Sequence, residues 1–204
     1  MYAPKFSITN QILKNIGIIE ACREVITHAP LLPYYEREFQ KDALVRSVHF
    51  GTHIEGNELN LNQAEKVLEG KEVLARDRDI QEVINYRRVI ELIDQLSISP
   101  VSPAGRNSQF SIDGELIKKL HKMTVERILE PEKCGVFRET QVVVKNSATG
   151  EVSFRPPPSS AIPAFIEELL QFINDSQNLD IHPVLKAGIV HYELVRIHPF
   201  VDGN

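Results

Sequence analysis

The chain has 204 residues, of which 42% are hydrophobic and 25% charged, and its formal net charge is −5. These values are those of an ordinary globular protein, and the absence of a dense basic run argues against a nucleic-acid partner. Cys22 and Cys134 lie far apart in the sequence, which excludes a disulfide framework and a cysteine zinc site. No apolar stretch approaches membrane-spanning length, so we expect a cytoplasmic protein with no membrane partner.

Apolar residues at helical spacing dominate the chain. They predict helices over 8–25, 34–54, 60–70, 76–96, 111–128, 162–173 and 183–197. A loop is predicted over 97–109, which is rich in Ser, Pro and Gly. Residues 140–144 and 152–154 are β-rich and flank a turn-like segment, which predicts a β-hairpin. We therefore expect an all-α fold with a small hairpin, divided into an N-terminal helical region (1–96) and a core (97–204).

Several helix ends carry local signals. Asn60 with Gln63 three residues later is typical of a capping box. Ser159 or Ser160 is a candidate cap for the helix that starts at about 162. Gly188 lies inside the last helix, where it is expected to permit a close approach of another helix.

The most informative stretch is 198–204, which directly follows the last predicted helix. The imidazole of His198 can accept a proton near neutral pH. The carboxylate of Asp202 can hold a hard divalent cation. Gly203 belongs to a turn whose backbone N–H groups can surround phosphate oxygens. This combination indicates phosphoryl or nucleotidyl chemistry.

Residues 198–204 read HPFVDGN and match the first seven positions of the Fic family signature, so the chain resembles that family. Fic proteins mostly transfer AMP from ATP to a hydroxyl group on a target protein. Residues 135–138, 141–144 and 154–158 are similar to the region around the strand pair that the family calls the flap. Residues 54–57, with the sequence IEGN, resemble the inhibitory motif of members that carry an N-terminal autoinhibitory helix.

The resemblance implies a role for each matching residue. His198 would be the general base, and Asp202 would hold a Mg²⁺ ion. Gly203 and Asn204 would begin the turn that binds the phosphates of ATP, and they would line the ATP site together with His198 and Glu55. Glu55 would also inhibit the reaction by keeping ATP out of its reactive pose. Gly51 departs from the pattern, because this motif commonly has Ser or Thr four residues before the glutamate.

The flap is expected to bind the target protein. An exposed strand edge over Val142, Val143 and Val144 could hold a target segment by strand addition, which demands little sequence specificity. Arg138 has two open interpretations: it bridges surface carboxylates, or it positions the flap.

The function implied by the resemblance is that of a protein adenylyltransferase acting on a Ser, Thr or Tyr hydroxyl. Three alternatives stay open: removal of AMP at the same site, transfer of another phosphate-containing group, and a non-catalytic binding or regulatory module. The chain ends inside the family signature, and we expect this form to be poorly active. The target protein and homodimer formation are left open.

Overall fold

The computed structural model describes residues 2–29, 31–98, 111–146, 149–175 and 180–204. These residues form seven α-helices and one two-stranded antiparallel sheet. The elements in chain order are α1 (Asn10–His28), α2 (Pro33–His53), α3 (Leu61–Leu68), α4 (Asp77–Ile98), α5 (Gly114–Val125), β1 (Val144–Lys145), β2 (Val152–Phe154), α6 (Ile162–Asn174) and α7 (Pro183–Ile197). The predicted all-α fold with a small hairpin is therefore confirmed. Beyond the end of α4, the loop predicted over 97–109 lies outside the described residues.

Helices α2, α3 and α4 pack around one apolar cluster. Its buried members are Val48, Leu59, Ala64, Val67 and Val83. The predicted capping box is present, because the Asn60 side chain accepts from the Gln63 N–H and the Gln63 side chain accepts from the Asn60 N–H. A short helix such as α3 is marginal alone, and its capping and packing together keep it folded. This cluster supports the turn that follows α2.

A second apolar cluster joins α6 to α7. Its buried members are Ile162, Ile166, Leu169 and Ile197. Ile197 is the last residue of α7, so this cluster fixes the place where α7 ends and the segment 198–204 begins. The buried end of α7 thus fixes the position at which the candidate site begins.

Two local predictions for this part of the chain are wrong. Neither Ser159 nor Ser160 caps α6, since its N-cap is Ala161 with no side-chain hydrogen bond. The Ser159 hydroxyl instead donates to the carbonyl of Glu139. Gly188 mediates no close helix approach, because a Cβ built there would meet no atom within 4 Å of it.

The outer faces of α1 and α2 stay exposed. Helix α1 has no buried residue. Phe39 on α2 and Ile54 just after it are apolar residues of the helical pattern, yet they are 60% and 81% exposed. Helical spacing places apolar residues on one face, but burial also requires a neighbouring element to cover that face. No described helix combines the length and apolar character needed to cross a bilayer.

The sheet is smaller than the sequence predicted. Strand β1 pairs with β2 in an antiparallel register that places Val144 opposite Phe154 and Lys145 opposite Val152. Val142 and Val143 precede β1 and are half-buried. The predicted strand over Val142 to Val144 is therefore reduced to its last residue, and β1 continues into Lys145.

Candidate active site

Five segments enclose a cleft of about 480 Å³. They are the end of α2 with the turn after it, the first half of α4, the end of α5 with the residues just after it, α7 at His191, and the segment 198–204, which we call the catalytic loop. Glu55, His198, Asp202, Gly203 and Asn204 all line this cleft. The candidate residues of the two halves of the sequence are thus brought together in space.

The backbone of His198 turns sharply out of α7. His198 is the C-cap of α7 and has φ 51° and ψ 61°, a left-handed conformation that costs a non-glycine residue about 1–2 kcal/mol. Its N–H still donates to the carbonyl of Leu194, 2.9 Å away. Such strain persists only where surrounding contacts hold it, and it is found preferentially at functional sites.

The imidazole of His198 is suited to accept a proton. Burial lowers the pKa of His198, and the nearby guanidinium of Arg138 acts in the same direction. The Val195 carbonyl and the charge of Asp202 oppose this shift by favouring the protonated ring. Its Nδ1 atom is buried and makes no well-formed hydrogen bond. A lowered pKa favours the neutral ring, in which one of the two nitrogens can accept a proton.

The catalytic loop is closed by its own last residue. The Asn204 side chain accepts from the Phe200 N–H at 2.7 Å and donates to the Phe200 carbonyl at 3.0 Å. This pair of bonds occupies the Asn204 amide within the loop. Phe200 is 3% exposed and anchors the loop in the interior.

His121 of α5 packs against the catalytic loop and supports it. Its ring stacks on Phe200 with centroids 3.7 Å apart. The Gly135 N–H donates to Nδ1, so Nε2 carries the hydrogen and donates to the Asp202 carbonyl at 2.9 Å. Burial lowers the pKa of His121, which favours the neutral ring that these two bonds require.

Sequence reasoning assigned no role to His121. A signal was present, because His121 lies four residues from both Ile117 and Val125 on the inward face of α5. A polar side chain at such a position needs partners, since burying an unsatisfied polar group is costly. The sequence alone does not reveal that the partners belong to Gly135 and Asp202.

Gly203 is required by both conformation and space. Its φ is +69°, and a Cβ added there would lie 2.4 Å from the Cγ1 atom of Val125. Its N–H donates to the Asp202 carboxylate at 2.8 Å. The loop therefore passes close over the end of α5 at this point.

Asp202 presents a half-exposed carboxylate to the cleft. Besides the bond from Gly203, it accepts a 3.3 Å contact from the guanidinium of Arg78. No group of three or more potential metal-ligating side chains exists among the described residues. Mg²⁺ is usually held by one or two carboxylates, with waters and substrate phosphates as its other ligands. Asp202 fits this pattern if a nucleotide supplies the phosphates.

Glu55 is carried by a turn with a fixed backbone. The turn follows α2, and Gly56 adopts φ +95° within it, as expected for a helix end. Asn57 is 2% exposed; its amide donates to the Asp79 carbonyl and to Glu82, and its side-chain oxygen accepts from the Leu59 N–H. The Glu55 side chain itself stays exposed in the cleft.

Two residues of α4 connect the opposite walls of the cleft. Arg78 donates to Glu82 at 2.9 Å and reaches Asp202 on the other side. Glu82 also accepts from Asn57, at 2.9 Å. A chain of polar contacts thus runs from the Glu55 turn to the candidate metal ligand, and no local pattern in the sequence predicts it.

The cleft includes Gly51 but not the residues of the predicted target-binding strand. Gly51 lines the cleft, and a Cβ there would lie 2.5 Å from the ring of Tyr86. A larger residue at this position would require the Tyr86 ring to shift. In the described part of the chain, Val142, Val143 and Val144 do not line the cleft.

Comparison with known proteins finds a family match over the part of the chain that contains the catalytic loop. Residues 111–204 match the family model described as the Fic/DOC family. The protein carries a Fic/DOC domain. This domain begins just before α5 and ends with the catalytic loop, so it contains His198 and Asp202 but not Glu55.

Curated relatives extend the similarity beyond the Fic/DOC domain. "Protein adenylyltransferase Fic" of Drosophila grimshawi is 29% identical over 168 residues, which cover 82% of this chain and 32% of the relative. "Protein adenylyltransferase fic-1" of Caenorhabditis elegans is 28% identical over 170 residues, covering 82% of this chain and 30% of the relative. The chain therefore spans about a third of the length of these relatives.

Solved structures match nearly the whole chain. A Fic family protein from Desulfovibrio desulfuricans has a TM-score of 0.72 at 25% identity, covering 98% of this chain and 55% of its own. A Fic domain-containing signaling protein from Bacteroides thetaiotaomicron has a TM-score of 0.74 at 23% identity, covering 91% of this chain and 66% of its own. The fold shared with these proteins thus includes the helices before the Fic/DOC domain.

Proposed function

We propose that this protein is a protein AMP transferase, which moves AMP from ATP to a Ser, Thr or Tyr hydroxyl of a target protein. The observation that carries the proposal is the convergence of His198, Asp202 and Glu55 on one cleft beside the catalytic loop. The names of the curated relatives, which are protein adenylyltransferases, support it. The membership of residues 111–204 in the Fic/DOC family supports it as well.

His198 is the general base in this proposal. Nε2 accepts the proton of the target hydroxyl as its oxygen forms a bond to the α-phosphorus of ATP. The bond between the α-phosphorus and the bridging oxygen breaks, and pyrophosphate leaves with the electron pair. Because burial lowers the pKa of His198, the ring is free to take the proton at neutral pH. Positioned proton transfer of this kind typically contributes about 10²- to 10⁴-fold.

Asp202 is the residue that would hold Mg²⁺. When bound, the ion neutralises the phosphate charge and stabilises the charge that develops on the leaving group. Asp202 now accepts from Arg78, so Arg78 must release the carboxylate oxygen or share it with the ion. The Gly203 backbone, held close to α5, brings the loop's N–H groups towards the phosphates.

Glu55 is the proposed inhibitor. Its carboxylate stands in the same cleft as the loop and forms no ion pair among the described residues. A negative charge there disfavours the phosphates of ATP in the pose needed for attack. The buried Asn57 keeps the backbone of this turn in place, so inhibition requires no movement of the turn.

The experiment is incubation of the purified chain with ATP labelled at the α-phosphate, Mg²⁺ and a mixture of candidate protein acceptors. We expect incorporation of label to rise in Glu55→Gly and Glu55→Gln, because both remove the carboxylate. In His198→Ala the label should fall by about 10²-fold or more. Glu58→Gln and His28→Asn are matched controls on the surface and should equal the wild type.

Label that persists in His198→Ala would reject His198 as the base. Equal label in wild type, Glu55→Gly and Glu58→Gln would reject inhibition by Glu55. Absence of label from every variant, with ATP binding by isothermal titration also absent, would reject AMP transfer by this chain.

A second candidate function is removal of AMP from a modified protein. The favouring observation is that Glu55 lines the same cleft as His198, where a carboxylate can orient an attacking water. A protein that already carries AMP on a hydroxyl is the substrate that distinguishes AMP removal from AMP transfer. Release of AMP that is lost in both Glu55→Gln and His198→Ala would support removal, whereas AMP transfer that rises in Glu55→Gln supports the first proposal.

A further inference from the structure

One buried guanidinium contacts both the catalytic loop and the flap, which we define as residues 140–157. Arg138 is 3% exposed. It has no carboxylate partner among the described residues, which leaves flap positioning as the remaining one of its two interpretations. Its side chain makes four hydrogen bonds, all to backbone carbonyls. A buried charge needs such compensation, and here it comes entirely from main-chain dipoles.

Two of these carbonyls belong to the end of α7. Arg138 Nε donates to the His198 carbonyl at 2.7 Å, and Nη2 lies 3.5 Å from the Ile197 carbonyl. The last carbonyls of a helix have no partner within the helix and carry its partial negative charge, so a cation there is favourable. The Arg138 N–H also donates to the Pro199 carbonyl at 2.8 Å. Three consecutive residues around the proposed base are thus held by one arginine.

The other two carbonyls belong to the two ends of the flap. Nη1 donates to the Thr140 carbonyl at 2.9 Å, where the chain enters the flap. Nη2 donates to the Pro157 carbonyl at 2.6 Å, where the chain leaves it. The hairpin itself consists of only two short strands. Such a small sheet is marginal by itself, so its position depends on how its ends are attached.

The strained backbone of His198 gives this arrangement a consequence for chemistry. A left-handed non-glycine residue relaxes unless its neighbours determine its conformation. The His198 carbonyl, turned away from the helix axis by that conformation, is the acceptor of the 2.7 Å bond from Arg138. The same side chain therefore holds the backbone of the base and the ends of the proposed target-binding segment.

We propose that Arg138 is a positioning residue that sets the flap at a fixed distance from His198, so that a target hydroxyl held by the flap meets the base. This proposal rests on the proposed AMP transfer for its kinetic consequence. Misplacing a reacting group by about 1 Å can lower a rate by about 10²-fold. Lysine keeps the charge but presents one ammonium group, which cannot reproduce the planar fork that reaches both segments.

The test compares wild type, Arg138→Lys and Arg138→Met, with Arg37→Lys on the exposed surface of α2 as the control. Amide hydrogen exchange is measured by mass spectrometry on peptides from 149–157, 195–204 and 61–96. We expect exchange to rise about tenfold in the first two regions of Arg138→Lys and to stay unchanged in 61–96. Unchanged exchange in all regions, or an equal rise everywhere, would overturn the positioning role.

The kinetic part uses the 204-residue chain carrying Glu55→Gly, with and without Arg138→Lys, and α-labelled ATP. We expect kcat to fall about 10²-fold while KM for ATP stays within a factor of two. A fall in ATP affinity with kcat unchanged would contradict the proposal. If the Glu55→Gly chain transfers no AMP, the proposed function fails, and the hydrogen-exchange comparison still decides whether Arg138 joins flap and loop.

Discussion

The two walls of the cleft are built by different means. The catalytic loop is held by buried contacts: Phe200 stacks on His121, Arg138 holds the His198 carbonyl, and the Asn204 side chain closes the turn. On the opposite wall, a buried Asn57 fixes only the backbone, and the Glu55 side chain stays exposed. The loop is thus held by contacts of Phe200, His198 and Asn204, whereas on the Glu55 wall only the backbone is held by a buried side chain. This difference is what the proposed roles of His198 as base and Glu55 as inhibitor require.

The largest expected effect comes from the loop wall. Gly203→Ala places a Cβ against Val125 Cγ1 and puts a side chain at positive φ. Left-handed strain and overpacking together should lower the free energy of unfolding by about 3 kcal/mol. Urea unfolding followed by circular dichroism measures this. Gly188→Ala, with open space around it in α7, is the matched control and should stabilise by about 0.5–1 kcal/mol. A Gly203→Ala chain as stable as wild type would mean that the loop is not rigid.

The next effect tests the backbone of the Glu55 wall. Asn57→Ala removes the bonds to the Asp79 carbonyl, to Glu82 and from the Leu59 N–H at a buried position. We expect the free energy of unfolding to fall by about 2–3 kcal/mol, because buried polar groups lose their partners. Asn62→Ala, at an exposed position of α3, serves as the control in the same urea titration. Equal stability of the two variants would show that the turn is held by something other than Asn57.

The third prediction concerns the pH dependence of stability, and it again tests the wall formed by the catalytic loop. Burial lowers the pKa of both His121 and His198, so the unfolded chain binds protons more readily than the folded chain below pH about 6.5. The contribution of these rings to stability is therefore complete above that pH and is lost progressively as the pH falls towards the folded pKa values. Unfolding free energies between pH 7 and 5 should decrease, and His121→Phe should reduce the slope. If His121→Phe leaves the slope of unfolding free energy against pH unaltered, His121 is not the source of that slope.

The smallest effect tests whether the two walls are coupled. Arg78→Gln breaks the contacts to Asp202 and Glu82, but the Arg78 side chain is 57% exposed. Ion pairs in such positions contribute about 0–1 kcal/mol, so we expect a stability change within that range. Arg46→Gln, an exposed arginine elsewhere on the helical surface, is the comparison in the same titration. A decrease in the free energy of unfolding above about 2 kcal/mol would indicate that Arg78 couples the two walls, which would contradict the view that they are built independently.

Local signals predicted much of the helical framework. The predicted capping box at Asn60 depends on the preferences of neighbouring residues alone, and it is present. Burial was predicted less well, since Phe39 and Ile54 satisfy a helical pattern but lack a covering element. The strand over Val142 to Val144 was overestimated, because strand length depends on the partner as well as on β propensity.

The sequence by itself determined the succession of helices and the order of side chains in the catalytic loop, because spacing, capping and an uninterrupted motif are local properties of the chain. Only the tertiary structure decided that Glu55 shares a cleft with His198, that His121 supports Asp202 and that Arg138 joins the loop to the flap. These contacts connect residues far apart in sequence. Their partners are mostly backbone carbonyls, which every residue possesses, so residue identity carries no signal for them.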